Sequence, residues 1–270
     1  MVIFLCLLVA QLFIAGESNQ LQRIANGELA KEGQFPYLVG LIFGPRDLAS
    51  PEDRYIVCGG SIISNEWILT AAHCTTGRPR EVKIFYGSTQ KKNAKVETVK
   101  RSNIHRHPRY RIIFNNNYRH DVALIRTPAV EFTDRIQRIP LPSPRDGRRS
   151  IRPGQSVISA GWGAEIIGGD SVDRLNWVAL EIGDISECES TYGKLKGALC
   201  VRTDKKRSTC SGDSGGPLVL EDEQKLVGIV SFGTTEGCDL GYPVVYTDVI
   251  SYLDWIESVS GVKPDNSKSG

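Results

Sequence analysis

The 270-residue chain carries almost no net charge, +2 from 33 basic and 31 acidic side chains. A balance this close to neutral leaves no electrostatic footprint for a nucleic acid, and none is expected as a partner. There is no Cys-x-x-Cys pair, so a zinc site has little support. There is no Asn-x-Ser/Thr sequon and no low-complexity segment. Nor does any apolar run reach the about 20 residues of a membrane-spanning helix. The one candidate, Val2 to Ala15, is too short and is followed at once by Gly16-Glu17-Ser18. It reads as a secretory signal over residues 1–18, although the Met1 amine is the only positive charge ahead of it. The expectation is a secreted, extracellular chain with no membrane attachment.

Export bears on the cysteines. Loss of the signal removes Cys6 and leaves Cys58, Cys74, Cys188, Cys200, Cys210 and Cys238. An even number in an exported chain points to disulfides. Six cysteines allow fifteen pairings, and spacing alone does not choose among them.

What is abundant is short β-prone runs. Phe35 to Phe43, Val57 to Ile63, Trp67 to Thr70, Val82 to Gly87 and Asp121 to Ile125 fill the first half. Ser156 to Ala160, Leu218 to Leu220, Leu226 to Val230 and Val244 to Thr247 fill the second. Short strands parted by Gly, Pro and Asn turns predict an all-β sandwich or barrel. Pro140 to Arg149 is the one linker-like run and divides two β-rich halves. Only the end reads as helical, with Val249, Leu253, Ile256 and Val259 on one face and Gly261 to stop it. Gln22-Arg23-Ile24 resembles a processing site, with an exposed Arg before an aliphatic residue.

Candidate chemistry gathers at Cys210-Ser211-Gly212-Asp213-Ser214-Gly215-Gly216-Pro217. Glycines let the backbone turn sharply and bring N–H groups near a substrate. A serine hydroxyl is a weak nucleophile until a base and an oxyanion site assist it. Of the four histidines, His73 ends a β-like run beside Cys74, behind the small Ala71 and Ala72. His105, His107 and His120 read as ordinary surface or core residues. Asp121 heads an apolar run, and a carboxylate entering a core must be paired or hydrogen-bonded. The G-x-S-x-G pattern also fits the nucleophile elbow of α/β-hydrolases. That elbow needs a helix after the serine and the histidine last, and neither order holds here.

In the order His73, Asp121, Ser214, the chain resembles the chymotrypsin-like (trypsin-family) serine endopeptidases from Ile24 to about Val259. The motifs that carry the resemblance are Ile24-Ala25-Asn26-Gly27, Thr70-Ala71-Ala72-His73-Cys74, Asp121-Val122-Ala123-Leu124, Gly161-Trp162-Gly163, Gly212-Asp213-Ser214-Gly215-Gly216-Pro217 and Ser231-Phe232-Gly233. The resemblance implies two six-stranded antiparallel β-barrels with the active site between them and a C-terminal helix. It implies a nucleophile at Ser214, a base at His73, an orienting Asp121, and an oxyanion hole from the N–H groups of Gly212 and Ser214. The implied disulfides are Cys58–Cys74, Cys188–Cys200 and Cys210–Cys238. A cut between Arg23 and Ile24 would free an amine to pair with Asp213. Residues 19–23 are then an activation segment, and residues 24–270 the protease domain, divided near 140–150.

Resemblance also sketches the substrate pocket, from Ser208, Ser231, Phe232, Gly233 and Val244. Ser208 stands at the base, where a trypsin-like enzyme carries Asp, so cleavage after apolar residues is expected. Gly233 leaves the wall open and Val244 makes the pocket shallower, while Asp239 reads as a solvated loop carboxylate. Gly87 to Lys95 is basic and lacks the oxygen ligands that calcium needs, so no metal or cofactor is implied. Arg106, Arg109, Arg111 and Arg119 read as a solvated basic loop at the cleft rim. Expected partners are protein or peptide substrates, a trypsin-like activating protease and protein inhibitors, with the chain a monomer. The rival reading is a catalytically inactive homologue acting as a binding or regulatory protein.

Overall fold

A computed structural model describes residues 27–44, 55–113, 117–145, 151–164, 171–204 and 207–265. The signal, Arg23 and Ile24 therefore lie outside the described residues. In chain order the strands are β1 (Glu28–Leu29), β2 (Leu38–Phe43), β3 (Ile56–Ser64), β4 (Trp67–Thr70), β5 (Glu81–Tyr86), β6 (Lys95–Lys100), β7 (Ile104–Arg106) and β8 (Arg111–Ile112). They continue with β9 (Tyr118–Arg119), β10 (Ala123–Arg126), β11 (Ser156–Gly161), β12 (Asn176–Ile182), β13 (Ala198–Arg202), β14 (Pro217–Leu220), β15 (Leu226–Phe232) and β16 (Val244–Asp248). Among the described residues two helices join them, α1 (Ile185–Tyr192) and α2 (Leu253–Ser260).

Strands of the second half run β12-β11-β14-β15-β16-β13, and pairing of β12 with β13 closes them into a six-stranded barrel. β1 adds to its outside through β12. Strands of the first half run β6-β5-β2-β3-β4-β10-β7 as a half-barrel. All of these pairings are antiparallel. β5 shows why the sequence takes this form. Val82, Ile84 and Tyr86 point inward and are buried, while Glu81 and Lys83 face water, as a pleat of period two requires. β3 is central in its sheet and is buried along nearly its whole length.

The halves meet where the backbone must come closest. A Cβ on Gly59 of β3 would lie 2.9 Å from the Cα of Gly216, and the Gly59 N–H donates to the Ser214 carbonyl at 2.8 Å. The run from Pro140 is docked, not free: Leu226 N–H donates to Pro140 O at 3.0 Å and Leu141 is buried.

The C-terminal helix follows expectation. A 3-10 turn over Val249–Tyr252 leads into α2, which buries Leu253 and Ile256 and ends at left-handed Gly261. The expectation that only the end is helical is wrong. α1 forms because Asp184 accepts from Ser186 N–H while Glu187 accepts from Asp184 N–H, a reciprocal cap. Its one buried residue is Cys188, so it carries almost no apolar stripe to read.

Candidate active site

β4 runs into a 3-10 turn at His73–Thr75, and the Cys58–Cys74 disulfide ties that turn to β3. Asp121 precedes β10, which pairs with β4 so that Ala123 faces Thr70. Neighbouring strands thus deliver His73 and Asp121 to the same end of the sheet. The Asp121 carboxylate is buried and held twice by one residue. Oδ1 accepts from the His73 backbone N–H and Oδ2 meets Nδ1, each at 2.8 Å. Ser231 Oγ also donates to Oδ2, at 2.6 Å. A buried carboxylate so bonded satisfies the pairing that burial demands, and leaves His73 Nε2 as the ring nitrogen facing away.

Ser214 arrives from the other half. Gly212 has φ +96° and Gly215 φ +78°, left-handed conformations that bend the loop around the serine. A Cβ at Gly215 would run into Thr70 Oγ1 and lie 2.7 Å from Gly59 O. Among the described residues no backbone acceptor takes the N–H of Gly212 or Ser214. His73 and Ser214 line one cavity of about 290 Å³, and no hydrogen bond joins them here. A nucleophile–base contact is often long before substrate binds.

Asp213 points the opposite way, into a fully buried niche. Gly163 N–H reaches Oδ1 at 2.8 Å and Cys210 N–H reaches Oδ2 at 2.9 Å. The Gly161-Trp162-Gly163 motif gains its reason here, since a Cβ at either glycine would collide with this carboxylate. Burial pushes the Asp213 carboxyl up to about 6, with the two N–H groups and the Lys91 ammonium pulling the other way.

Ser208, buried, lines the cavity, and its Oγ donates to Thr209 O at 2.9 Å. Val244 lines it as well: its Cγ2 would sit 3.6 Å from a Cβ placed on Gly233. Phe232 and Gly233 are also in the lining. Ser231 lines it too, though its hydroxyl is engaged with Asp121. Asp239 is exposed and does not line the cavity. Beside His73, Tyr118 stacks on the imidazole with centroids 4.8 Å apart. Tyr118 and Tyr192 both stand edge-on to Phe232. Burial, followed by the nearby Asp121, raises the Tyr118 pKa.

Comparison with known proteins matches residues 24–256 to the family model described as Trypsin. The chain belongs to the trypsin family. Relatives include "Serine protease 1" of Drosophila melanogaster, 40% identical over 241 residues, covering 89% of this chain and 86% of that protein. "Collagenase" of Hypoderma lineatum is 37% identical over 244 residues, covering 89% and 88%. A solved structure titled "HL collagenase" superposes with a TM-score of 0.78 at 36% identity, covering 88% of this chain and 99% of that one. The trypsin-family chain is a serine endopeptidase.

Among the described residues three disulfides hold the trypsin-family chain together in the pairs the resemblance implied, Cys58–Cys74, Cys188–Cys200 and Cys210–Cys238. Cys58, His73 and Cys74 approach one another, but both sulfurs are spent in the disulfide and are not metal ligands. Two of the rim arginines are engaged: Arg119 donates to Lys194 O at 2.9 Å, and the Arg106 guanidinium lies 5.7 Å from the Tyr110 ring centre. Sequence reading passed over Tyr118, Tyr192, Thr70 and Gly59 as parts of the site.

Proposed function

We propose that this serine endopeptidase is secreted, is made as a precursor switched on by a cut after Arg23, and cleaves peptide bonds following apolar residues. The observation that carries the reading is the His73–Asp121 pair beside Ser214 in a cavity whose described lining holds no Asp, Glu, Lys or Arg. Ser214 Oγ attacks the scissile carbonyl while His73 Nε2 takes its proton and later gives it to the leaving amine. Asp121 holds the tautomer with its proton on Nδ1 and stabilises the imidazolium. The N–H groups of Gly212 and Ser214 receive the oxyanion, each such donor being worth roughly 3–4 kcal/mol. Water then releases the acyl group by the same steps reversed.

Activation follows from Asp213. A wholly buried carboxylate is costly without a cation, and an α-amino group freed at Ile24 supplies one. Pairing it would hold Asp213, and with it Gly212 and Ser214, in place. The substrate preference rests on Ser208 and Val244. With no carboxylate at the floor, Arg and Lys side chains would lose their partner, and the Val244 side chain favours small or medium apolar groups. The expected activator has trypsin specificity, the expected inhibitors present an extended loop, and the expected active form is a monomer.

Two measurements test this. A fluorophosphonate probe should label Ser214 only after the chain has been cut; failure to label would favour the inactive-homologue reading. A peptide library should return Leu, Ala or Phe before the cut, and a dominant Arg would overturn the pocket reading. Collagen belongs in that panel because a relative carries the name collagenase.

A further inference from the structure

Among the described residues, three that are not glycine hold a positive φ: Arg78, His120 and Gln224. Arg78 and Gln224 sit in exposed positions where such a conformation is easily accommodated. His120 is different. It is half-buried, has φ +52°, and stands immediately before Asp121. A side chain with a Cβ persists there only when its surroundings over-determine it.

The surroundings are a clamp of rings. His107 stacks on His120 with centroids 4.8 Å apart and an interplanar angle of 11°. Tyr252, just ahead of α2, stands edge-on to both imidazoles, at 5.9 Å from His120 and 5.5 Å from His107. Its hydroxyl lies 3.4 Å from His120 Nδ1. Trp255 of α2 closes over His107 at 5.0 Å. Two backbone bonds bracket the aspartate: Val122 N–H donates to His120 O at 2.9 Å, and His107 N–H to Val122 O at 3.0 Å. Burial first, then the neighbouring cations, keep both imidazole pKa values below the ordinary one. Those cations are Arg109, Arg111 and Arg119 around His120, and His120 and Arg109 around His107. The same surroundings favour the neutral form of both rings.

We propose that His120, clamped by His107 and Tyr252, is a positioning residue for Asp121. Among the described residues its ring and side-chain partners are His107 and Tyr252, not His73 or Ser214. It fixes the backbone direction from which the carboxylate reaches both the backbone N–H and Nδ1 of His73. Those two bonds, at 2.8 Å each, come from the two oxygens of one carboxylate, so a rotation at its own backbone weakens both together. The proposal rests on the reading of Asp121 as the orienting carboxylate of the triad.

The test compares activated His120→Val, His120→Asn and His107→Ala, each normalised to active sites titrated with a fluorophosphonate, with Asp121→Asn normalised to protein concentration. A β-branched valine resists positive φ, whereas asparagine tolerates it. His120→Val should lower kcat about tenfold or more with KM within about twofold, and His120→Asn should restore most of the loss. His107→Ala should lower kcat and move the acid limb of the kcat/KM profile to lower pH, because an imidazolium less well paired with a carboxylate holds its proton less tightly. If Asp121→Asn abolishes turnover while His120→Val and His107→Ala keep wild-type kcat and acid limb, the positioning role is wrong and the triad stands. If Asp121→Asn stays fully active, the triad reading falls and this inference with it. Should His120→Val not fold, a wild-type kcat and pH profile in His107→Ala is sufficient to overturn the proposal.

Discussion

Asp213 offers a thermodynamic test of the activation scheme. In the uncut chain burial lifts its pKa to about 6 from an ordinary 3.8. A rise of about two units corresponds to about 3 kcal/mol at 1.36 kcal/mol per unit. The folded pKa lies above the unfolded one, so the favourable contribution is complete below pH 3.8 and is lost as pH rises through about 6. An amine inserted beside the carboxylate would lower the folded pKa and remove that loss. The comparison is made in a Ser214→Ala background, which prevents self-digestion. One sample carries Arg23→Gln and stays uncut; the other is cut after Arg23 and repurified. Urea unfolding from pH 4 to 7.5 gives the stability of each, and groups that titrate alike in both cancel in the difference. The cut chain should gain on the uncut one by up to about 3 kcal/mol, the difference growing as pH rises from about 4 to about 6 and levelling off above it. Parallel pH curves for the two samples would refute the pairing of Asp213 with the new terminus.

Four further substitutions test the site. Val244→Gly removes the methyl that crosses toward Gly233, and should shift the preferred residue before the cut toward Phe and Tyr. Ser208→Asp should confer cleavage after Arg chiefly when combined with it, and an unchanged library profile in the double variant would rule out this floor and wall. Ser231→Ala removes a hydrogen bond to a carboxylate, of a kind worth about 1.5–3 kcal/mol, and kcat/KM should fall by roughly ten- to a hundred-fold. A wild-type value would mean that Asp121 is oriented without it. Gly215→Ala places a Cβ against Thr70 Oγ1 and Gly59 O at φ +78°, and should destabilise by at least about 3 kcal/mol. Calorimetry should register that as a fall of roughly 6–12 °C in Tm; an unshifted transition would show that the halves do not meet as closely as described.

Legibility in the sequence followed how strongly each segment was constrained. β4, Trp67–Thr70, was readable to the residue because all four side chains are buried and turn signals flank it. β6, Lys95–Lys100, was not, since Val99 is its only buried side chain and a solvated edge leaves no apolar pattern. α1 stayed hidden for the same reason, although Asp184 and Glu187 announced its cap. A cap four residues long is a weak signal when no apolar stripe follows it. The run Pro140 to Arg149 looked like a linker by composition, yet its described part is bonded into the second half, because proline restricts a backbone without preventing it from accepting hydrogen bonds.

Within the site, chemistry was legible where a residue type has few alternatives, and geometry was not. A serine among glycines, a histidine beside a cysteine and an aspartate heading an apolar run each survive as local signatures. Their meeting depends on Gly59, Gly161, Gly163 and Gly215, where the requirement is the absence of a Cβ. A glycine in a strand has the same letter whether it admits a turn, a carboxylate or another backbone. At Gly161 and Gly163 the reason exists only once Asp213 is in place, and at Gly59 only once Gly216 is. At Gly59 and Gly215 the two halves therefore constrain each other at positions neither would specify alone, and the sequence carries that constraint only as small residues. The Asp121 carboxylate extends the argument: one residue of β15, Ser231, and one of β16, Thr247, bond to it or to its carbonyl, so the second barrel helps to aim a side chain of the first. Catalytic geometry of this kind belongs to the interface between halves, and loosening either one should cost activity before it costs the fold of the other.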